Sequence, residues 1–114
     1  PGNIMLTKDG QVKIIDFGSA CGPGDTCSVT CTAFVAAPEK TYSVAYDMWS
    51  FGKTIINWLF GDTMELPNVA PMLTPFGKNL SSILDDCLKQ DPTKRLSASE
   101  LLEKYFKETG QPWP

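Results

Sequence analysis

The chain has 114 residues, 42% of them hydrophobic and 20% charged, so it makes one domain at most and is globular in composition, unlike a disordered tail. A net charge of −3 argues against binding to the phosphate backbone of DNA or RNA, which requires clustered Lys and Arg. No apolar run approaches the ~18 residues of a membrane span, and Lys53 and Asn57 interrupt the longest candidate.

Nucleic acid and membrane are therefore not expected partners. The first residue is Pro1, with no Met and no basic region ahead of an apolar one, which reads as an interior piece of something longer. Four cysteines are present, Cys21, Cys27, Cys31 and Cys87, with no histidine and no Cys-x-x-Cys. The usual zinc patterns are missing. Free thiols serving as small apolar residues are expected, in keeping with a reducing, cytoplasmic location.

Ile4-Met5-Leu6 and Gln11-Val12-Lys13-Ile14-Ile15 flank Asp9-Gly10, a hairpin signal. Such a pair carries Asn3 at its entrance and Asp16 at its exit, at one end of the ribbon. An amide carbonyl and a carboxylate there are hard oxygen ligands suited to one Mg²⁺ shared with substrate phosphates. Both residue types also cap turns, so an ordinary strand end followed by a turn explains Asp16-Phe17-Gly18 as well. From Ser19 to Ala36 periodicity is lost and a long exposed loop is expected, rich in hydroxyls: Thr26, Ser28, Thr30 and Thr32.

Ser43 to Phe60 reads as a helix, with Ala45, Met48, Trp49, Gly52, Ile55, Ile56 and Leu59 at intervals of three and four, Ser43 as N-cap and Gly61 as stop. Asp47 in its first turn also suits the helix dipole. Gly61 to Lys78 holds Pro67, Pro71 and Pro75 and admits only short helical turns. Asn79 to Lys89 is amphipathic through Leu80, Ile83, Leu84, Cys87 and Leu88. Ser97 to Phe106 is so through Leu101, Leu102, Tyr105 and Phe106, opened by the capping-box form Ser97-Ala98-Ser99-Glu100.

Asn3, Asp16-Phe17-Gly18, Ala37-Pro38-Glu39, Asp47-x-Trp49-Ser50-x-Gly52 and Asp91-Pro92-x-x-Arg95 occur together, in the order and at roughly the spacing of the protein kinases, which the chain resembles over nearly its whole length. The resemblance is to the C-terminal part of a Ser/Thr kinase catalytic domain. It implies an α+β, mostly α C-lobe fragment with a short β-hairpin, an activation segment and a buried central helix, occupying residues 1–108 with a tail at 109–114.

It also implies ATP and Mg²⁺ as cofactors, Asn3 and Asp16 as metal and cofactor ligands, and Thr32 as the activation-segment threonine that contacts the catalytic aspartate. Ser28, Thr26 and Thr30 become candidates for activation-segment phosphorylation. Asp47 becomes a buried acceptor for the catalytic-loop backbone, and Arg95 the partner of Glu39 in a largely buried ion pair. Cys31 and Val35 depart from the family's Gly-Thr-x-x-Tyr pattern, and the stretch from Gly61 to Lys78 is shorter than the family's insert.

The Gly-rich loop, the phosphate-binding lysine and the His-Arg-Asp are not in the chain. The expected partners are a protein substrate and the missing N-lobe and catalytic-loop segment. Two functions stay open: a fragment of a Ser/Thr kinase that transfers the ATP γ-phosphoryl group, inactive in isolation, or a kinase-like scaffold, either a pseudokinase or a truncated lobe.

Overall fold

A computed structural model of the chain describes residues 2–18, 20–22, 33–61 and 66–106. Among these the architecture is α+β and mostly helical: a two-stranded antiparallel sheet followed by helices.

Strands β1 (Ile4–Leu6) and β2 (Val12–Ile14) pair with Ile4 opposite Ile14, Met5 opposite Lys13 and Leu6 opposite Val12. Thr7 closes the loop between them. Its N–H donates to the Gln11 carbonyl (2.8 Å), its own carbonyl accepts from Gly10 N–H (3.0 Å), and its Oγ1 accepts from Gln11 N–H (2.9 Å). The same hydroxyl donates to Asp9 Oδ1 (2.7 Å), which holds the Asp9 carboxyl below its usual pKa. Gly10 sits at φ +86°, a left-handed conformation open to glycine at little cost, and this is how Asp9-Gly10 turns the chain.

Helix α1 (Val44–Phe60) begins where Ser43 Oγ accepts from Tyr46 N–H (3.2 Å) and ends where Gly61, at φ +97°, donates its N–H to the Asn57 carbonyl (3.0 Å). Tyr46, Met48, Gly52, Lys53 and Ile56 are its buried residues. The inward stripe differs from the expected one at three points: Leu59 is exposed, Lys53 is buried, and Tyr46, not anticipated, is buried edge-on against Tyr42 with ring centroids 5.0 Å apart. Ser50 Oγ donates to the Val35 carbonyl (2.8 Å), fastening α1 to a 3-10 helix at Ala33–Val35. The last residues of the stretch expected to be loop thus form a 3-10 helix, while residues 19 and 23–32 of it lie outside the described residues. Val35 and Ala37 are buried there, because apolar side chains next to α1 gain more from packing than from solvent.

Between Gly61 and α3 (Lys78–Cys87) lie a one-turn helix α2 (Leu66–Val69) and a 3-10 helix at Ala70–Phe76, in keeping with a proline-rich stretch. A further 3-10 turn at Pro92–Lys94 is capped by Asp91 Oδ1, which accepts from Thr93 N–H (2.9 Å) and from the Thr93 hydroxyl (2.7 Å). Helix α4 (Ala98–Tyr105) opens with a complete capping box: Ser97 Oγ accepts from Glu100 N–H (3.2 Å), and Glu100 Oε2 accepts from Ser97 N–H (2.8 Å).

Two apolar clusters form the core. One joins Met48 of α1 to Ile83 and Cys87 of α3 and Leu101 of α4; the other joins Ile56 to Val69, Leu73 and Leu84. Leu88 packs against both. Leu102, expected on the inner face of α4, is exposed, while Asp86 ties α3 to α4 by accepting from Tyr105 Oη (2.5 Å) and Lys104 Nζ (2.9 Å).

Gly52 lets α1 lie close against the end of α3: a Cβ there would lie 3.1 Å from Cys87 Cβ and from Leu88 Cγ and Cδ2. Gly52→Val is expected to force the helices apart and destabilise the chain by about 1–3 kcal/mol, the usual cost of overpacking. A urea-unfolding midpoint equal to wild type would show that this contact yields freely.

Candidate functional site

The first candidate group stands at the open end of the hairpin. Ile15 N–H donates to the Asn3 carbonyl (2.8 Å), one step beyond the Ile4–Ile14 pair, so Asn3 and the residue after Ile15 emerge at the same end of the ribbon. That residue, Asp16, has φ +63°, the one positive φ among the described non-glycine residues. Aspartate tolerates this region better than most residues because its short polar side chain bonds locally. Here Asp16 Oδ1 accepts from Gly18 N–H (3.2 Å), and Ala20 N–H donates to the Phe17 carbonyl (3.0 Å). The second carboxylate oxygen of Asp16 makes no hydrogen bond among the described residues. Asn3 and Asp16 are both exposed, so two hard oxygen donors of the kind Mg²⁺ takes stand open at one edge.

The second group is buried and joins distant parts of the chain. Arg95, whose side chain is 0% exposed, places Nη1 2.6 Å from Glu39 Oε1 and Nη2 2.9 Å from Glu39 Oε2, a two-pronged pair spanning 56 positions. The other guanidinium protons go to backbone carbonyls: Nε to Lys89 (2.8 Å), Nη1 to Ala45 (2.9 Å) and Nη2 to Gln90 (3.5 Å). Its Cζ lies 5.0 Å from the centroid of the Trp49 ring. Only a flat, forked donor satisfies all of these at once. The hydrogen bonds from Arg95 hold the Glu39 carboxyl below its ordinary pKa, outweighing the opposing effect of burial.

Asp47 corrects an expectation. It lies exposed on the first turn of α1 and is not buried, and no hydrogen-bond donor meets its carboxylate among the described residues. Enough protein crowds that carboxyl for desolvation to raise its pKa. The Ser43 cap signals where the helix begins, but sequence alone does not say what covers its first turn.

The cysteines divide. Cys87 is a free, buried thiol whose pKa is pushed up to about 11, chiefly by desolvation, which makes it inert. Cys21 is disulfide-bonded, contrary to the expected free thiol. Thr32 and the phosphorylation candidates Thr26, Ser28 and Thr30 lie outside the described residues. Buried Lys53, within α1, was read from the sequence only as an interruption of an apolar run. Among the described residues no helix is long and apolar enough to cross a membrane.

Comparison with known proteins bears on this arrangement. The family described as Protein kinase domain matches residues 1–106. The chain is 28% identical over 138 residues to serine/threonine-protein kinase fray2 of Dictyostelium discoideum, covering 97% of this chain and 13% of that protein. It is 32% identical over 134 residues to serine/threonine-protein kinase fray1 of the same organism, covering 93% and 23%. It is 29% identical over 134 residues to human dual specificity mitogen-activated protein kinase kinase 7, covering 93% and 32%. The chain thus spans less than a third of the length of each of these relatives. Each alignment is longer than the chain's 114 residues, so the relatives carry residues with no counterpart here. With a family match over residues 1–106, the chain belongs to the protein kinase family.

Proposed function

We propose that the chain is the part of a Ser/Thr protein kinase catalytic domain that runs from the catalytic-loop asparagine, Asn3, to the last helices of the C-lobe, with residues 1–108 in the domain and 109–114 a tail. The complete domain transfers the ATP γ-phosphoryl group to serine or threonine of a protein substrate, in the cytoplasm. The observation that carries this reading is the hairpin end, where Asn3 and Asp16 stand together with open oxygen donors.

The donor set fits Mg²⁺: two hard oxygen ligands, one anionic, both solvent-facing, leaving room for phosphate oxygens and water. Asn3 and Asp16 would hold the Mg²⁺, which would neutralise charge on the phosphates. The chain's own part is positional. The Asp16-to-Gly18 hydrogen bond fixes the carboxylate, and the hairpin pairing fixes Asn3 beside it. Glu39 and Arg95 anchor the end of the activation segment to the backbone just after α3.

A second reading, a kinase-like scaffold without catalysis, is favoured by one feature: Cys31 and Val35 stand where the family's substrate-docking pattern has Gly and Tyr. Phosphoryl transfer depends on positioning and charge stabilisation, and most of the positioning groups are absent. The pure 114-residue chain is therefore expected to transfer no phosphate from ATP to casein, with or without Mg²⁺. Sustained Mg²⁺-dependent labelling of casein by the pure chain would contradict this.

A further inference from the structure

Helix α4 is attached to the rest of the chain unevenly. Its eight residues fall short of the ~12–15 that an isolated helix needs in water, so it persists because it is docked. The end nearest Ser97 is fixed. Arg95, two positions upstream, donates to both Glu39 carboxylate oxygens and to the carbonyls of Lys89 and Ala45, and Leu96 N–H donates to the Asp86 carbonyl (3.4 Å). The far end is held differently: Lys104 Nζ (2.9 Å) and Tyr105 Oη (2.5 Å) both donate to one atom, Asp86 Oδ2. Of the eight residues only Leu101 is buried, and Leu102 is exposed.

We propose that α4 is a lid that opens about a hinge at 95–97, is held shut by the Asp86 carboxylate, and uncovers the apolar cluster of Met48, Ile83 and Cys87 while α1 and α3 stay folded together. Such opening depends on how α4 is docked and not on the proposed phosphoryl transfer.

The two interfaces differ in extent. Helices α1 and α3 are joined by the close approach at Gly52, where Cys87 and Leu88 leave no room for a Cβ, and by the second cluster, Ile56, Val69, Leu73 and Leu84, to which α4 contributes no residue. Opening of α4 leaves both in place and withdraws Leu101 from the first cluster, together with the half-buried Tyr105 and Phe106. Segments that bury little open at lower free energy than the whole fold. Within the latch the hydroxyl matters more than the ammonium. The Lys104 side chain is 54% exposed and its ion pair is screened by solvent, whereas the Asp86 side chain is only 19% exposed, so losing the Tyr105 hydroxyl leaves that carboxylate short of a donor. Cys87 reports the opening. With α4 shut the thiol is 0% exposed and its pKa is pushed up to about 11, chiefly by desolvation, so it does not react until water reaches the cluster.

The test follows alkylation of Cys87 by N-ethylmaleimide in the whole chain, read on the tryptic peptide 79–89, whose sole cysteine is Cys87. In wild type, the opening constants from Cys87 alkylation and from amide exchange at Leu101 and Phe106 should agree with one another and exceed that from exchange at Ile56 by about tenfold or more, with a much shallower urea dependence. Tyr105→Phe keeps the ring and should speed alkylation about tenfold, the effect of one hydrogen bond to a charged group. Asp86→Ala, which removes both ties, should speed it further, and Lys104→Met less than either. Circular dichroism should show a folded chain in each case; if Asp86→Ala does not fold, wild type and Tyr105→Phe decide. Opening constants and urea dependence at Cys87 and Leu101 equal to those at Ile56 would show that α4 opens only with the whole fold. Unchanged alkylation in Tyr105→Phe would show that Asp86 does not hold it shut. Either result would overturn the proposal.

Discussion

Arg95→Ala is expected to destabilise the chain by about 3–5 kcal/mol, the cost of removing one member of a buried, hydrogen-bonded charge pair. Total stability for a domain is only about 5–15 kcal/mol, so the variant should unfold at markedly lower urea or not fold at all. The loss exceeds a single ion pair because the guanidinium also serves the carbonyls of Ala45, Lys89 and Gln90 and lies over Trp49. Truncation leaves those acceptors and the Glu39 carboxylate, only 20% exposed, without their donor. Arg95→Lys should recover little, since a single ammonium cannot reproduce the fork. The pH dependence follows from Glu39. Its pKa is lowered by Arg95, so the unfolded chain binds its proton first, and the stabilisation, complete above the ordinary glutamate value of ~4.3, is lost as pH falls through the depressed folded value. Urea midpoints for wild type and Arg95→Ala should therefore converge toward acid. An unchanged midpoint in the variant at neutral pH would show that the pair contributes nothing.

Asp16→Asn in the completed catalytic domain is expected to reduce turnover on the order of a hundredfold to a thousandfold, the usual effect of losing a transition-state electrostatic contact. The substitution is chosen for what it keeps. Asparagine tolerates the left-handed φ of +63°, and its carbonyl oxygen still accepts the Gly18 N–H, so the turn survives while one unit of negative charge is removed from the metal's shell. Asp16→Ala would disturb both and would confuse a folding defect with a chemical one. Circular dichroism and the urea midpoint should match wild type, and the rate of Ser/Thr phosphorylation should not. Equal rates would favour the scaffold reading.

Local rules made much of the helical framework legible. The Ser43 cap, the Gly61 stop and the Ser97–Glu100 capping box depend on residues three or four positions apart, so sequence contains all the partners needed. The left-handed Gly10 turn is local in the same way. Where the reading failed, the determinants were nonlocal. Periodicity assigns a face to a helix but not what covers that face, which is why Leu59 and Leu102 are exposed while Tyr46 and Lys53 are buried. Asp47 was expected to be buried from its place in a motif, yet its exposure depends on neighbours elsewhere in the chain. The bond at Cys21 could not be read from cysteine spacing, because spacing says nothing of which sulfurs the fold brings together. For the candidate site, the hairpin pattern put Asn3 and Asp16 at one end of a ribbon, but the positive φ of Asp16 and its bond to Gly18 required coordinates.

The measurement that bears most directly on the central claim is the affinity of the completed domain for ATP with and without Mg²⁺, in wild type and Asp16→Asn. If Asp16 and Asn3 hold the metal, Mg²⁺ tightens ATP binding to wild type and does so far less in the variant, while metal-free ATP binds both alike. The same Mg²⁺ dependence in both proteins would contradict the account and leave Asp16 as a residue that ends a strand.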